Sequence, residues 1–150
     1  MKGRKRHIVV DTLGLLTDVI VHEANIQDRA GGVPLIEKIA PNEPRMSHLW
    51  ADSGYTGGFV RFVRRMGWTI EVVTRADDRS HGAWRDEQLP LIPVKPRFEL
   101  IRRRWVVERT FGWLSRYRRL AKDYEQRIDV STSMFWAAAC RLMVQRLAFA

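Results

Sequence analysis

The sequence has little that would support an extracellular or membrane protein. Its 150 residues include one cysteine, Cys140, so no disulfide can form within the chain. No apolar run reaches the roughly 18 residues of a membrane span, and the first residues are charged, unlike a signal peptide. We therefore expect a cytoplasmic protein with no membrane partner, in which Cys140 is a buried thiol. The histidines have no spacing typical of a zinc site and are expected to be surface or partly buried residues: His7, His22, His48 and His81.

Acidic residues are also scarce relative to basic ones. The chain has 26 Lys and Arg against 17 Asp and Glu, which gives a formal net charge of +9. The excess is concentrated between Lys95 and Leu120, where nine basic residues stand against Glu99 and Glu108. Arginine in such excess among aromatic residues suits a phosphate backbone, although a solvated basic face would also explain it.

The N-terminal third reads as a hairpin and a helix. Two segments rich in Val and Ile flank Leu13-Gly14 and predict a β-hairpin over about residues 7–23. A helix is predicted over about 33–40, with Asp28 as a possible N-cap and with two glycines and a proline weakening its first turn.

A strand, a helix and a second strand follow. The segment SHLWAD is a short strand that ends in Asp52, TGGFVRFVRRMG is a helix capped by Gly67, and WTIEVVT is the next strand. The crossover between the strands favours parallel pairing. Functional groups in open α/β sheets lie beyond the C-terminal ends of strands, so Asp52 is either a ligand there or a helix cap. Its position alone does not decide between the two.

A long helix is predicted over about 102–120. One stripe of this helix has an unusual composition and comprises Arg104, Glu108, Gly112, Ser115 and Arg119. Gly112 costs about 1 kcal/mol relative to alanine in a helix and clears space beside Glu108. Pairing of Glu108 with Arg104, or packing of Gly112 against another helix, would explain the same stripe structurally.

The remaining segments suggest one domain. With 45% hydrophobic residues, the chain can bury one core, and we expect a single domain over residues 1–150. Residues 76–100 are polar and then proline-rich, which predicts a surface connection before the helix that carries Glu108. A last apolar helix is predicted over about 131–150, with Ser131 as its cap.

Three segments together resemble the catalytic domain of bacterial insertion-sequence DDE transposases, the ribonuclease-H-like group. They are KGRKRHIVVDTLGLL, LWADSGYTG and RRWVVERTFGWLSRYRRL, and the matching segments run from Lys2 to about Leu147. The resemblance implies an α/β fold with a ribonuclease-H-like mixed sheet flanked by helices. It also implies a function in DNA transposition, with insertion-sequence ends and target DNA as partners.

The resemblance also implies a catalytic site. In this family two aspartates and a glutamate hold two divalent metal ions, and the second aspartate and the glutamate correspond to Asp52 and Glu108. Both would be catalytic residues and ligands of Mg²⁺ or Mn²⁺. Mg²⁺ prefers carboxylate oxygens, and a pair of ions suits in-line phosphoryl transfer. The implied activity is metal-dependent cleavage and transfer of DNA strands.

The basic residues near these motifs are the predicted DNA contacts. The family's signature places its arginine at Arg104, whereas Ile101 and Ser115 stand where it has a tyrosine and a lysine, so Arg116 is the nearest substitute for the lysine. The predicted DNA-binding residues are Lys2, Arg4, Lys5, Arg6, Arg104, Arg109, Arg116 and Arg119.

The first aspartate of the family has no counterpart in the sequence. It lies on a strand that precedes the KGRKRH tract, and Asp11 and Asp18 on the hairpin are more simply explained as exposed strand positions. We therefore expect a truncated sheet without its first strand and a marginal fold that needs a homo-oligomer or a complementing N-terminal polypeptide. We also expect no activity from the chain alone. The alternative is a catalytically dead DNA-binding fragment that interferes with the intact transposase.

Overall fold

The computed structural model describes residues 3–73 and 104–149. The elements in this part of the chain are β1 (Arg4–Val10), β2 (Leu16–Glu23), α1 (Asp28–Ile39), β3 (His48–Asp52), α2 (Gly58–Arg65), β4 (Thr69–Val73), α3 (Arg104–Leu114), α4 (Arg118–Ala121) and α5 (Ile128–Ala148). The described part is a mixed α/β structure, as the sequence predicted. The predicted surface connection over 76–100 lies outside the described residues, and the single domain stays a prediction.

The strands β1 and β2 form the predicted antiparallel hairpin. Their register runs from Arg4 opposite Glu23 to a bulge next to Val10. Gly14 in the connecting turn has a φ of +82°, a conformation that glycine adopts without a steric penalty. The hairpin is confirmed, and β1 begins three residues earlier than predicted, so that it includes most of the basic tract.

The strand, helix and strand that follow are also confirmed. β3 and β4 pair in parallel, from His48 opposite Thr69 to Asp52 opposite Val73, and α2 connects them. Gly67 after α2 has a φ of +82°, as expected of a glycine just past the end of a helix.

The four described strands form two sheets of two strands each, β1 with β2 and β3 with β4, whereas the sequence predicted one mixed sheet. The strands β1 and β3 line the same two cavities, with volumes of about 450 Å³ and 480 Å³. Val9 of β1 and Leu49 of β3 also lie in the same apolar core, so side-chain packing, rather than a ladder of backbone hydrogen bonds, joins the two sheets within the described residues.

The hairpin lies between two apolar cores. Successive strand residues point to opposite faces, so one face of the hairpin packs on α3, α4 and α5 and the other on α1 and α2. The buried side chains of the first core are Leu16, Val19, Val21, Leu114, Leu120, Phe135, Ala138 and Ala139. Those of the second core are Val9, Leu35, Ile36, Ile39, Phe59 and Val63.

Helix α1 starts five residues before its predicted start. It begins at Asp28, and the N-cap position belongs to Gln27, so Asp28 is not the cap. The glycines that weaken the helix locally are needed for packing. A Cβ atom at Gly32 would lie 2.7 Å from Cε1 of Tyr55. Tertiary packing thus outweighs the low helix propensity of glycine here.

The long helix predicted over 102–120 is interrupted. α3 ends at Leu114, and the hydroxyl of Ser115 donates a 3.0 Å hydrogen bond to the carbonyl oxygen of Gly112. Leu114 and Leu120 are both buried in the first core. In a continuous helix these two side chains would point about 120° apart. The break before α4 lets both of them reach the same core.

Helix α5 differs from the prediction at its start and on its outer face. It begins at Ile128, and Ser131 is buried inside it, where its hydroxyl donates a 2.9 Å hydrogen bond to Asp123 instead of capping the helix. Cys140 is exposed, so the prediction of a buried thiol was wrong. Cys140 lies on the side of α5 opposite Phe135.

Neither α5 nor another helix in the described ranges is long and apolar enough to cross a membrane. The cytoplasmic location stays a prediction.

Asp123 ties the start of β1 to the connection between α4 and α5. Its carboxylate lies 3.2 Å from a guanidinium nitrogen of Arg4 and 3.5 Å from one of Arg6. It also accepts hydrogen bonds from the Ser131 hydroxyl and the Glu125 amide. Burial alone would raise the pKa of Asp123, but these hydrogen bonds and the two arginines lower it overall.

Replacement of Asp123 by asparagine is expected to lower the free energy of unfolding by about 1 to 2 kcal/mol, because two arginines lose their anionic partner. Asp129→Asn is the matched control, since Asp129 pairs with Arg127 at a solvent-exposed position where ion pairs contribute little. Urea unfolding of both variants measures the difference. Equal stability of the two variants would contradict the assigned role of Asp123.

Candidate functional site

Asp52 is the last residue of β3, as predicted, and its side chain is exposed. Its Oδ1 atom accepts a 2.7 Å hydrogen bond from the Ser53 amide and a 3.3 Å hydrogen bond from the Ser53 hydroxyl. Helix α2 begins only at Gly58, and no side chain caps it. Asp52 is therefore not a helix cap, and the alternative that remains is a carboxylate presented at the end of a strand.

Glu108 is an exposed residue of α3. Asp52 and Glu108 line the same cavity of about 450 Å³, together with residues of β1 and of the turn after β3. Carboxylate oxygens are the ligands that Mg²⁺ prefers, so the chemistry of this pair fits a divalent cation. Within residues 3–73 and 104–149, no group of three or more His, Cys, Asp or Glu side chains could hold a metal ion. Metal binding by Asp52 and Glu108 stays a prediction.

Gly112 leaves the helix surface open next to Glu108. It follows Glu108 by one helical turn, and a Cβ atom placed on Gly112 would meet no heavy atom within 4 Å. Gly112 does not pack against another helix in the described part of the chain. The open space that the sequence predicted beside Glu108 is therefore present.

Alanine at Gly112 is expected to raise the free energy of unfolding by about 0.5 to 1 kcal/mol, because it removes the helix penalty of glycine without a clash. Gly32→Ala should be destabilising, since its Cβ would lie 2.7 Å from Tyr55 and 2.8 Å from Phe59. Thermal or urea unfolding compares the two variants. A destabilised Gly112→Ala protein would mean that this surface is not open.

Tyr55 in the turn after Asp52 is a site residue that sequence reasoning missed. Its hydroxyl forms a hydrogen bond with Nδ1 of His7 on β1, and its ring packs against Phe59, with 5.0 Å between the ring centroids. His7 is 3% exposed, so its prediction as a surface or partly buried residue was wrong. Because β1 and β3 belong to different sheets, this contact ties the Asp52 turn to the hairpin.

The pKa shifts indicate the protonation states of the two side chains in this contact. Burial raises the pKa of Tyr55, and the carboxylates of Asp28 and Asp52 raise it further, so the hydroxyl keeps its proton. Burial lowers the pKa of His7 to about 4, with a further contribution from His22, whose ring stacks on it at 4.5 Å. His7 is therefore neutral near pH 7, and the contact joins a neutral imidazole to a protonated hydroxyl.

The lowered pKa of His7 predicts that the protein loses stability as the pH falls from about 6.5 to about 4. In this window a histidine in the unfolded chain binds a proton and His7 in the folded chain does not, so unfolding takes up a proton. The loss is at most about 3 kcal/mol. Urea unfolding between pH 7 and pH 4.5 measures it, with His7→Asn as the control that retains a hydrogen-bonding group near the Nδ1 position but does not titrate. Identical pH dependence in both proteins would contradict the assignment.

Asp28 is a further carboxylate on this cavity. It forms a 3.0 Å ion pair with Lys5, and its Oδ2 atom lies 2.8 Å from where a Cβ atom at Gly54 would be. Asp28 therefore packs directly on the turn that follows Asp52. No local signal in the sequence could have found this contact, since it depends on how α1 packs on that turn.

Asp11 and Asp18, the weaker substitutes for the missing aspartate, do not line this cavity. Asp11 is exposed and accepts hydrogen bonds from amides of the hairpin turn. Asp18 is buried, and its carboxylate forms a 2.7 Å ion pair with Lys38 on α1. The expectation of an exposed position was correct for Asp11 and wrong for Asp18. Pairing with Lys38 compensates the burial of the Asp18 charge.

The predicted DNA-binding residues of β1 have partners within the protein. Arg4 and Arg6 contact Asp123 and nearby carbonyl oxygens, and Lys5 contacts Asp28 and the carbonyl oxygen of Ile26. These contacts hold β1 against α1 and against the connection between α4 and α5. Lys2 lies outside the described residues. A role of this tract in DNA binding stays a prediction.

Arg109 is also held within the protein. Its guanidinium lies between the rings of Trp105 and Trp113, at 4.4 Å and 4.7 Å from their centroids. It donates a 2.6 Å hydrogen bond to the carbonyl oxygen of Leu13 in the hairpin turn. These contacts hold the hairpin turn against α3, and DNA binding by Arg109 stays a prediction.

The remaining predicted DNA contacts are Arg104 at the start of α3, and Arg116 and Arg119 after its end. Arg116 is exposed in the turn between α3 and α4. Arg119 lies 3.4 Å from the carboxylate of Glu125, and the helix break separates it from the predicted stripe. The side chain of Arg104 lies outside the described part. Arg116 and Arg119 are thus accessible, whereas those on β1 are engaged.

These observations describe an α/β protein with carboxylates at a cavity between two sheets. The family model described as the transposase DDE domain matches residues 1–143, and the chain belongs to this family of transposases. A protein described as a putative transposase for insertion sequence element IS402, from Burkholderia cepacia, is 30% identical over 149 residues. The alignment covers 92% of this chain and 61% of that protein. No solved structure matches the chain.

Proposed function

We propose that this chain is the catalytic region of an insertion-sequence transposase that cleaves and transfers DNA strands by a DDE-type two-metal mechanism. The observation that carries the proposal is the meeting of Asp52 and Glu108 at one cavity, although the two residues are far apart in the sequence. Membership of the transposase DDE domain family supports DNA as the substrate. The convergence of the two carboxylates supports their assignment as metal ligands.

Asp52 and Glu108 would hold Mg²⁺ or Mn²⁺. Such ions, when bound, activate water or a DNA 3′-hydroxyl and stabilise the leaving oxygen. The part played by the chain itself is orientation. The Ser53 amide fixes one oxygen of Asp52, and the rigid helix α3 carries Glu108. The open surface at Gly112 offers room beside Glu108 for a sugar-phosphate backbone.

A ribonuclease-H-like sheet completed by one more strand between β1 and β3 belongs to the same proposal. Two features support it: β1 and β3 each pair with one strand only among the described residues, and together they line two cavities. Strand edges without a partner leave backbone N–H and C=O groups unsatisfied, which favours addition of a strand. We propose that this strand, from outside residues 1–150, carries the first aspartate. A complementing polypeptide or a preceding segment could supply it.

The competing function is DNA binding without catalysis. It is favoured by one observation, that the described ranges contain no group of three side chains able to hold a metal ion. Such a fragment would occupy the DNA ends and interfere with an intact transposase. The two functions share DNA binding and differ in metal-dependent cleavage.

The deciding measurement is Mg²⁺- or Mn²⁺-dependent nicking of DNA that bears the ends of the element, by the chain with its upstream segment. Asp52→Asn and Glu108→Gln should each slow nicking by about a hundredfold or more, because each removes a charged ligand from ions that stabilise the transition state. Asp129→Asn is the control with the same chemical change at an exposed position away from the cavity.

Full nicking by either cavity variant would contradict the assignment of Asp52 and Glu108. Nicking by the 150-residue chain alone would contradict the requirement for a further strand and aspartate. Absence of nicking with and without the upstream segment, together with retained DNA binding, would support the DNA-binding fragment. Circular dichroism of each variant confirms that a lost activity is not lost folding.

A further inference from the structure

Helix α2 carries three arginines on its outer face. Arg61, Arg64 and Arg65 are all exposed, whereas Phe59 and Val63 are buried in the second core. At about 100° per residue, the three arginines fall within an arc of about 100° that is opposite the buried side. α2 contains no acidic residue, so this outer face is purely positive.

The ordinary explanations for such a face account for only part of it. Arg64 and Arg65 lie in the last turn, where cations interact favourably with the helix dipole, but Arg61 does not. Arg61 and Arg65 are four residues apart, and like charges at this spacing destabilise a helix. Within residues 3–73 and 104–149, no hydrogen bond or ion pair engages the three side chains.

The α2 arginines therefore differ from three of the arginines that the sequence nominated for DNA, Arg4, Arg6 and Arg109. Arg4 and Arg6 bind Asp123, and Arg109 lies between two tryptophans. The guanidinium donors of the α2 arginines remain available to a ligand.

Helix α2 itself borders the candidate site. The helix follows directly on the turn after Asp52. Its buried residue Phe59 lines the same cavity as Asp52 and Glu108. Phe59 and the arginines lie on opposite sides of α2, so the arginine face lies outside the cavity, on the outer surface of the same helix.

We propose that Arg61, Arg64 and Arg65 form a contact surface, outside the cavity, for the sugar-phosphate backbone of the DNA substrate. The inference rests on the proposed function in that DNA is the partner. Guanidinium groups bind phosphate oxygens with paired hydrogen bonds, which lysine cannot reproduce. Backbone contacts of this kind position a duplex without reading its sequence.

The test is the affinity of a fluorescent DNA duplex for the chain, measured by anisotropy at several salt concentrations in EDTA. The variant Arg61→Gln, Arg64→Gln, Arg65→Gln should bind more weakly, to the same extent for any duplex sequence. The slope of log affinity against log salt should fall by about 2 to 3, since each lost phosphate contact removes about 0.9. The control variant changes three exposed cations elsewhere, Arg45→Gln, Lys122→Gln and Arg141→Gln, with the same change in net charge.

A smaller loss of affinity and slope in the control than in the α2 variant supports the proposal, and a variant with lysine at all three α2 positions should be intermediate. Equal losses in the α2 and control variants would overturn it, because they would reflect net charge alone. An unchanged slope in the α2 variant would also overturn it. DNA binding in EDTA does not depend on metal ligands. The binding result therefore stays interpretable if Asp52 and Glu108 are not metal ligands. The nicking result likewise stays interpretable if the α2 arginines do not bind DNA.

Discussion

The alternation of side chains along the hairpin is the constraint on which the rest of the structure depends. Val19 and Val21 face the helices at the end of the chain, whereas Ile20 and the paired Asp18 face α1. A shift of one residue in register would exchange these faces and bury the wrong side chains in both cores. The turn at Gly14, held by Thr110 through a 2.7 Å hydrogen bond, fixes this register from outside the hairpin.

The geometry of the candidate site depends on this arrangement of the hairpin. Two sheets that share no backbone hydrogen bonds in the described ranges are held together by α1, which packs on the hairpin and on α2. Close approach is possible only because Gly31 and Gly32 have no side chains, with His7 and Tyr55 lying against them. The carboxylate of Asp52 is thus positioned by contacts that lie behind it, in the core, and not by its own neighbours in sequence alone.

The parts of the structure with strong local signals could be predicted from the sequence. The hairpin has alternating Val and Ile residues. The segment that forms β3, α2 and β4 changes from a strand pattern to a helix pattern and back. The sequence blocks around Asp52 and Glu108 indicated the family. The end of α3 at Leu114 could not be predicted, because it follows from the need to bury Leu120 in the same core. For the same reason, the sequence cannot say which arginines are engaged, since the partners of a side chain are set by packing between distant segments.

The long-range contacts of the hairpin affect the order in which parts of the protein fold during synthesis. The carbonyl oxygen of Leu13 accepts hydrogen bonds from Arg109 and Arg146, which are 96 and 133 residues further along the chain. The partner of Arg4, Asp123, lies 119 residues further along the chain. On the ribosome, the core between the hairpin, α1 and α2 can therefore close early, while the opposite face of the hairpin stays uncovered until the last helix emerges. Such long-range closure is slow and leaves apolar surface exposed to other chains in the meantime.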